Sequence, residues 1–133
     1  METETDDSMP NQRDDEVLRI LKIARDHSTL RGGRGLSLRD LLEECNFRQL
    51  RPRLASSHIE AVLEKHPGEI TMWLAYSEDK RTSVGWYFAN VGESRWQIGK
   101  LDGTHELFES PIAACSEFVL RELDTWSTID AAR

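Results

Sequence analysis

The cysteines and histidines, whose side chains can act as nucleophiles or metal ligands, are few and widely spaced along the chain. They are two cysteines and four histidines, namely Cys45, Cys115, His27, His58, His66 and His105. No two of them have the spacing of a zinc-binding pair, and no Gly-x-Ser-x-Gly sequence is present to expose a serine nucleophile. The sequence therefore predicts no catalytic residues, no bound metal and no cofactor, and we predict that the protein is not an enzyme.

The two cysteines indicate a reducing compartment. A secreted domain that depended on disulfides would carry more cysteines, and an unpaired cysteine behaves as a small apolar residue. We expect Cys45 and Cys115 to be reduced and partly buried. The chain has no run of about 18 apolar residues that could cross a membrane, and its acidic start lacks the apolar stretch of a secretory signal. We therefore predict a cytoplasmic protein without a membrane-spanning segment.

The net charge of −7 is unevenly distributed along the chain. Residues 17–53 hold nine basic and four acidic side chains, whereas the residues before and after them are predominantly acidic. A basic region of this kind can bind the phosphates of a nucleic acid. One alternative function is therefore a nucleic-acid-binding regulator that uses the basic N-terminal helices. Its candidate contacts are Arg31, Arg34, Arg48 and Arg51.

Several features weigh against nucleic-acid binding. The second and third predicted helices, which follow Ser37 and Ser57, are connected by about ten residues, whereas the helices of a helix-turn-helix motif are connected by three or four. The third helix carries Glu60 and Glu64 against only Lys65, which suits phosphates badly. The glycine-rich sequence 31–35 lacks the spacing of a phosphate-binding loop and the strand that should precede it. We expect these residues to form a loop, and we rank protein binding above nucleic-acid binding.

The densest group of aromatic and charged residues lies between residues 73 and 88. Trp73 and Tyr76 are followed by four charged residues and then by three consecutive aromatic rings. Aromatic rings beside an arginine are typical of the residues that anchor protein interfaces. Alternatively, the rings form the core and the charged run is a solvated turn, and both descriptions hold if the core presents the turn. The predicted partner-binding residues are Glu78, Asp79, Lys80, Arg81 and Trp86.

The first half of the chain has the pattern of helices that would position this group. Apolar residues recur at helical spacing after caps. Residues 46–54 are expected to form an irregular connection. Residues 68–78 fit either a helix or a strand, and we favour a helix because the preceding proline suits a first turn. The predicted caps are Asp14 or Asp15, Ser37, and Ser57 in a capping box with Glu60.

The second half of the chain changes to the period of β-strands. A two-residue turn is predicted at Asp102 and Gly103, and Ser110 is predicted to cap a final helix that Pro111 opens. The predicted strands cover residues 84–91, 95–101 and 104–109.

The whole pattern predicts an α+β fold. N-terminal helices precede a three-stranded antiparallel meander, and a C-terminal helix packs on the sheet, because a small sheet needs such a cover in water. A single domain is predicted over residues 14–127. A disordered acidic tail is predicted over residues 1–13, and a C-terminal tail over residues 128–133.

Three stretches carry an aromatic strand entry and a helix rich in small residues: Met72–Phe88, Trp96–Gly99 and Ser110–Leu123. In a small acidic α+β chain, these stretches resemble small bacterial immunity-type proteins, the single-domain partners that neutralise toxins of polymorphic and contact-dependent inhibition systems. The resemblance implies binding without chemistry, through an interface of roughly 1,600 Å² with a toxin domain. An acidic face would speed association with a basic toxin. The basic region 17–53 departs from the uniformly acidic surface expected against a nuclease toxin.

Overall fold

The computed structural model describes residues 13–28, 33–80 and 84–132, and the side chains of these residues up to residue 129. The described residues have an α+β fold, as predicted. Residues 1–12 of the predicted acidic tail lie outside the described residues, whereas Arg13 is helical. The last helix extends to Ala132, so residues 128–132 of the predicted C-terminal tail continue that helix, and Arg133 lies outside the described residues.

The elements follow one another in the order helices, sheet, helix. Residues 13–21 form α1 and, after a turn at Lys22, Ile23–His27 form α2. The further helices are α3 (Leu38–Glu44), α4 (Phe47–Leu50), a 3-10 turn (Arg51–Arg53), α5 (Ser56–Lys65), α6 (Gly68–Asp79) and α7 (Pro111–Ala132). The strands are β1 (Tyr87–Gly92), β2 (Arg95–Gly99) and β3 (His105–Phe108).

Several local predictions are confirmed by the hydrogen bonds at the helix ends. Ser37 Oγ accepts a hydrogen bond from the amide of Asp40 (3.1 Å), and Ser110 Oγ accepts one from the amide of Ala113 (3.2 Å). Each serine thereby satisfies one of the amides that a helix start leaves without a partner. The ambiguous segment is helical over Gly68–Asp79, as favoured, and its buried residues recur at helical spacing.

The prediction of an irregular connection over residues 46–54 is wrong. Residues 47–50 form α4 and residues 51–53 form the 3-10 turn. Phe47 and Leu50 are both buried and lie one turn apart, so a helical backbone places both side chains in the core. Asn46 adopts a left-handed conformation with φ of 57°, which allows the chain to turn between α3 and α4.

The prediction that Ser57 caps α5 is also wrong. The helix begins one residue earlier, at Ser56, so Ser57 lies inside its first turn. The amide of Ala55 donates to Nδ1 of His58 (3.0 Å), so a histidine ring takes the role expected of a glutamate. Glu60 instead accepts a hydrogen bond from the hydroxyl of Ser116 on α7 (3.5 Å).

Helix α7 forms the centre of the molecule. Helices α3, α5 and α6 pack against it, and all three strands also contact it. Its middle is therefore buried over most of its circumference, and only Glu117 and Arg121, each 31% exposed, remain partly open between residues 114 and 123. The buried residues of this helix are Ala114, Cys115, Ser116, Phe118, Val119, Leu120, Glu122 and Leu123.

The sheet is an antiparallel meander in the order β1-β2-β3. Phe88 pairs with Ile98, which in turn pairs with Glu106. Phe88 and Ile98 are buried against the helices, and we call their side of the sheet the inner face. Because side chains alternate along a strand, Tyr87 and Gln97 lie on the opposite side, which we call the outer face.

Aromatic rings join α6, α7 and β1. The ring centres of Trp73 and Tyr76 are 5.1 Å apart, and those of Phe88 and Phe118 are 5.5 Å apart. Trp73 also donates a hydrogen bond from Nε1 to the carbonyl of Leu21 (2.9 Å), which attaches α6 to α1. These rings therefore belong to the core, which is one of the two descriptions that the sequence left open.

Replacing Phe118 by alanine should lower the free energy of unfolding by about 3–5 kcal/mol, because it removes the ring that contacts α6 and β1. Urea denaturation measures the change. Leu101→Ala is the control, since Leu101 is 74% exposed and a surface change of this kind shifts stability by less than about 0.5 kcal/mol. Equal effects of the two variants would contradict a core built around Phe118.

Candidate partner-binding surface

The predicted partner-binding residues lie in different environments. Glu78 and Asp79 are exposed in the last turn of α6. Lys80 is turned inward, and its side chain is only 11% exposed. Trp86 is half-buried just before β1, and Arg81 lies outside the described residues. Glu78 and Asp79 therefore lie at the surface, whereas the side chain of Lys80 contacts other residues inside the protein.

The ammonium group of Lys80 makes three contacts inside the molecule. Nζ lies 2.8 Å from Oε2 of Glu122 and donates to the carbonyls of Val84 (2.9 Å) and Trp86 (2.7 Å). An ammonium has three donors, so these contacts leave none for a partner. They attach the segment between α6 and β1 to helix α7.

The carboxylate of Glu122 is completely buried and fully hydrogen-bonded. Oε2 accepts from the hydroxyl of Tyr76 (2.6 Å) and from Nε1 of Trp126 (3.0 Å), and Oε1 accepts from the amide of Trp86 (2.7 Å). Burial, followed by the charge of Glu122, raises the pKa of Tyr76, so its hydroxyl remains protonated and donates. We call Lys80, Glu122, Tyr76, Trp86 and Trp126 the buried ion-pair cluster.

Gly85 is required where the chain passes this cluster. Its φ is +88°, a conformation that favours glycine. A Cβ atom at this position would lie 2.4 Å from Oε1 of Glu122, closer than any real contact. The close approach of the backbone is what allows the next amide, that of Trp86, to donate to the carboxylate.

The helical spacing of α7 indicates that Glu122 is buried. Glu122 lies four residues after Phe118 and seven after Cys115, so helical spacing places it on the same buried face. A charged residue at such a position needs a buried partner. Spacing does not tell which distant cation supplies it, and Lys80 appeared in the sequence as part of a solvated charged run.

Trp86 is approached by two cations at the edge of the inner face. The ammonium of Lys100 lies 5.0 Å from the centre of its ring, and the guanidinium of Arg121 lies 5.1 Å from it. Arg121 also forms ion pairs with Glu106 (3.0 Å) and Glu117 (3.1 Å). Trp86, which the sequence predicted as a partner-binding residue, thus has a structural role at this edge, and its partner-binding role stays a prediction.

The outer face of the sheet carries exposed apolar side chains. Among the described elements, α6 and α7 contact the sheet, and the buried Phe88 places them on the inner face. Leu107 is 50% exposed on the outer face, where Ala89 is half-buried. Val91, two residues after Ala89 at the bulge of β1, is 49% exposed. Sequence reasoning placed the strands but did not identify this face as a candidate surface.

The side chain of Tyr87, on the outer face, reaches from β1 to β2. Nε2 of Gln97 donates to the hydroxyl of Tyr87 (2.6 Å). A Cβ atom at Gly99 would lie 2.6 Å from the same hydroxyl, so the glycine makes room for the ring. The outer face therefore combines an ordered tyrosine with neighbouring aliphatic side chains, a composition typical of protein interfaces.

Carboxylates neutralise two of the four arginines that the sequence suggested for nucleic-acid binding. Arg34 lies between Asp26 (3.0 Å) and Glu44 (2.6 Å). Arg51 forms a two-pronged ion pair with Asp124 (2.7 and 3.0 Å). The excess of basic residues in this part of the sequence is therefore reduced by acids from the same helices and from α7.

The other two arginines suggested for nucleic-acid binding are Arg48 and Arg31. Arg48 donates to the carbonyl of Ser127 (3.1 Å) beside an open depression of about 390 Å³ that Arg39 and Asn46 also line. Arg31 lies outside the described residues. The depression carries exposed cations, but no continuous basic stripe follows from the described arginines.

The thiols are poorly suited to nucleophilic chemistry. Cys45 and Cys115 are free and buried, as expected. Burial raises the pKa of Cys45 to about 11 and raises the pKa of Cys115 still further. The thiolate is the reactive form, and such thiols remain protonated at neutral pH.

Among the residues that the structure describes, no group of three histidine, cysteine, aspartate or glutamate side chains is close enough to hold a metal ion. In the same part of the chain, no helix combines the length and the apolar character needed to span a membrane.

Comparisons with protein families, with curated proteins and with solved structures gave no match to this chain.

Breaking the buried ion pair should be costly. Glu122→Gln and Lys80→Met should each lower the free energy of unfolding by about 3–5 kcal/mol, because each leaves the opposite charge buried alone. The double variant should cost less than the sum of the two, because no buried charge remains. Urea denaturation of the four proteins gives the coupling energy.

Arg39→Ala is the control for that cycle. Its guanidinium is 68% exposed and lies 3.6 Å from Glu43, so its loss should cost less than about 0.5 kcal/mol. Strictly additive effects of Lys80→Met and Glu122→Gln would contradict the direct pairing of their side chains.

The thiols should react slowly in the folded protein. At pH 8 a thiol with a pKa of about 11 is ionised in only about one molecule in a thousand, and burial also blocks access. Labelling with a disulfide reagent should therefore be slow without denaturant and rapid in concentrated urea, for both Cys45 and Cys115. Rapid labelling of one thiol in the native protein would show that its surroundings open readily.

Proposed function

We propose that this chain is a non-catalytic protein-binding domain that recognises its partner through the outer face of its sheet. The observation that carries the proposal is the exposure of Leu107 on a sheet face that the described helices leave uncovered, with Val91 also exposed at the bulge of β1. Apolar side chains grouped on one surface mark interaction sites in soluble proteins. The ordered ring of Tyr87 adds a rigid contact of the kind enriched in interfaces.

The charges around the sheet favour a basic partner. Glu78 and Asp79 end the helix that precedes β1, Glu93 lies in the turn between β1 and β2, and Glu109 follows β3. These residues are exposed. Together with the net charge of −7, they would accelerate association with a positively charged protein and oppose association with a negatively charged one. In this proposal Glu78 and Asp79 keep the partner-binding role predicted from the sequence.

The role of the remaining predicted residues changes in the proposal. Lys80 acts indirectly, because its ammonium is used within the buried ion-pair cluster. It holds Trp86 and the start of β1 in place. Trp86 is half-buried and supports the surface from the inner side.

The resemblance to immunity-type proteins gives the proposal its specific form. We propose that the partner is a toxin domain and that the protein neutralises it in the cytoplasm by covering part of its surface. Binding of this kind needs no catalytic group, which agrees with the buried, protonated thiols. The nucleic-acid alternative has less support because Arg34 and Arg51 are paired with carboxylates.

Affinity capture from a lysate of the source cells tests the proposal. The tagged protein should retain one stoichiometric protein partner after nuclease treatment, as read by mass spectrometry. Val91→Asp should lose this partner, because it places a charge among the exposed apolar side chains of the sheet. Thr71→Asp is the matched control, since it adds the same charge at an exposed position on α6 and should retain the partner.

Each other outcome has a distinct meaning. Retention of the partner by Val91→Asp would reject the outer face as the binding site. Release of all bound material by nuclease would favour the nucleic-acid-binding regulator, and the absence of any partner in both conditions would reject the protein-binding function.

A further inference from the structure

We propose that the free edge of β3 binds an extended basic segment of the partner protein, which adds to the sheet as a fourth strand. This inference rests on the proposed protein-binding function and specifies its mode and the chemistry of the partner. It follows from the register of the sheet, from the contrast between its two edges and from the charges beside β3.

The register determines which backbone groups of β3 point away from the sheet. The amide of Phe88 donates to Ser77 Oγ on α6 (2.7 Å), so it points away from β2. Phe88 pairs with Ile98, whose own amide and carbonyl must then point toward β3, because these groups alternate along an antiparallel ladder. Ile98 pairs with Glu106, so the groups of Glu106 face β2. Those of the next residue, Leu107, face outward.

The hydrogen bonds at the hairpin agree with this assignment. The amide of Lys100 donates to the carbonyl of Thr104 (2.8 Å), two residues after Ile98 and two before Glu106. The outward groups of β3 are therefore those of His105 and Leu107. Neither the amide nor the carbonyl of Leu107 has a hydrogen-bond partner among the described residues.

The two edges of the sheet differ in how they are covered and in the regularity of their pairing. The edge of β1 lies against α6, which caps one of its amides, and β1 has a bulge between Asn90 and Gly92. β3 pairs with β2 without a register shift. It contains neither proline nor lysine and leaves Leu107 50% exposed. Proteins commonly protect an open edge with a bulge, a proline, a lysine, a covering element, a very short strand or an inward-pointing charge. In the described part of the molecule, β1 has a bulge and a covering helix, whereas the protection of β3 is limited to its four-residue length and the charge of Glu106.

The charges beside β3 indicate the chemistry of the added strand. Asp102, Glu106, Glu109 and Glu117 lie on or next to this edge. Arg121 pairs with Glu106 and Glu117, so the three groups together keep a net charge of −1, and Asp102 and Glu109 outweigh the remaining cation, Lys100. A second copy of this chain would bring the same acids and a further net charge of −7 to the edge. A basic segment would instead be attracted to it.

The alternation of β3 predicts the pattern of the segment. A residue opposite Leu107 lies on the outer face, where an aliphatic side chain extends the apolar surface that includes Val91. Its two neighbours lie on the side of Glu106, where lysine or arginine would meet the acids. The expected segment therefore alternates basic and aliphatic residues. Backbone hydrogen bonds would supply affinity and the side chains specificity.

The probe for this inference is a labelled synthetic peptide, acetyl-Lys-Val-Arg-Val-Lys-Val-amide, titrated with the full chain by fluorescence anisotropy. We expect saturable binding, and much weaker binding of a peptide with glutamate in place of each basic residue. N-methylation of the amides along one edge of the peptide should abolish binding, because it removes backbone donors without changing the side chains. Equal binding of the N-methylated and parent peptides would overturn the proposal, as would the absence of binding by the parent.

Leu107→Pro tests the same edge in the protein. The outward amide of Leu107 can be replaced without losing a bond of the native sheet, so thermal unfolding should change little. Binding of the peptide should weaken by about tenfold or more, because proline removes a donor and its ring blocks the edge. Leu107→Val keeps both the donor and an aliphatic side chain and should bind like the wild type. Unchanged binding by Leu107→Pro would overturn the proposal.

The natural partner separates failure of this inference from failure of the proposed function. A partner that Val91→Asp loses and Leu107→Pro retains would leave the binding function intact and reject edge pairing. A partner that both variants retain would reject the outer face and the edge together.

Discussion

The ion pair between Lys80 and Glu122 is the interaction on which the rest of the structure depends. It joins the end of α6 and the start of β1 to the central helix α7. Moving two charges from water into the interior of a protein costs free energy. This cost is offset because every donor of Lys80 and both oxygens of Glu122 have partners. Such a fully paired group tolerates few other arrangements of the segment between α6 and β1, so it selects one relative position of helices and sheet.

The position of the outer face follows from this constraint. Once Trp86 and β1 are held, the amide of Phe88 reaches Ser77 on α6, and the alternation of the ladder then determines which groups of every later strand point outward. The inner face of the sheet packs into the core. The charged residues that the sequence predicted as a partner-binding turn lie in different environments. Glu78 and Asp79 remain at the surface, whereas the adjacent Lys80 becomes part of the interior.

Local patterns predicted most of the elements, because caps, turns and periodicity depend on neighbouring residues. Ser37, Ser110 and the three strands were recognised in this way, and the helix over 68–79 was favoured correctly. Contacts between distant residues could not be predicted, since a single sequence does not show which cation meets which acid. The pairing of Glu122 with a lysine 42 positions earlier and the neutralisation of Arg51 by α7 are of this kind. The candidate surface depends on them, and only its acidic residues were recognised.

The central position of α7 has a consequence for synthesis on the ribosome. All the elements that pack against α7 precede it in the chain, and they are made at about 5–20 residues per second. Until α7 emerges, the rings of Trp73 and Phe88 lack Phe118, and Lys80 lacks its carboxylate. The nascent chain therefore carries its apolar helices and strands without the surface that they cover. The described elements can complete their common core only after α7 has left the exit tunnel.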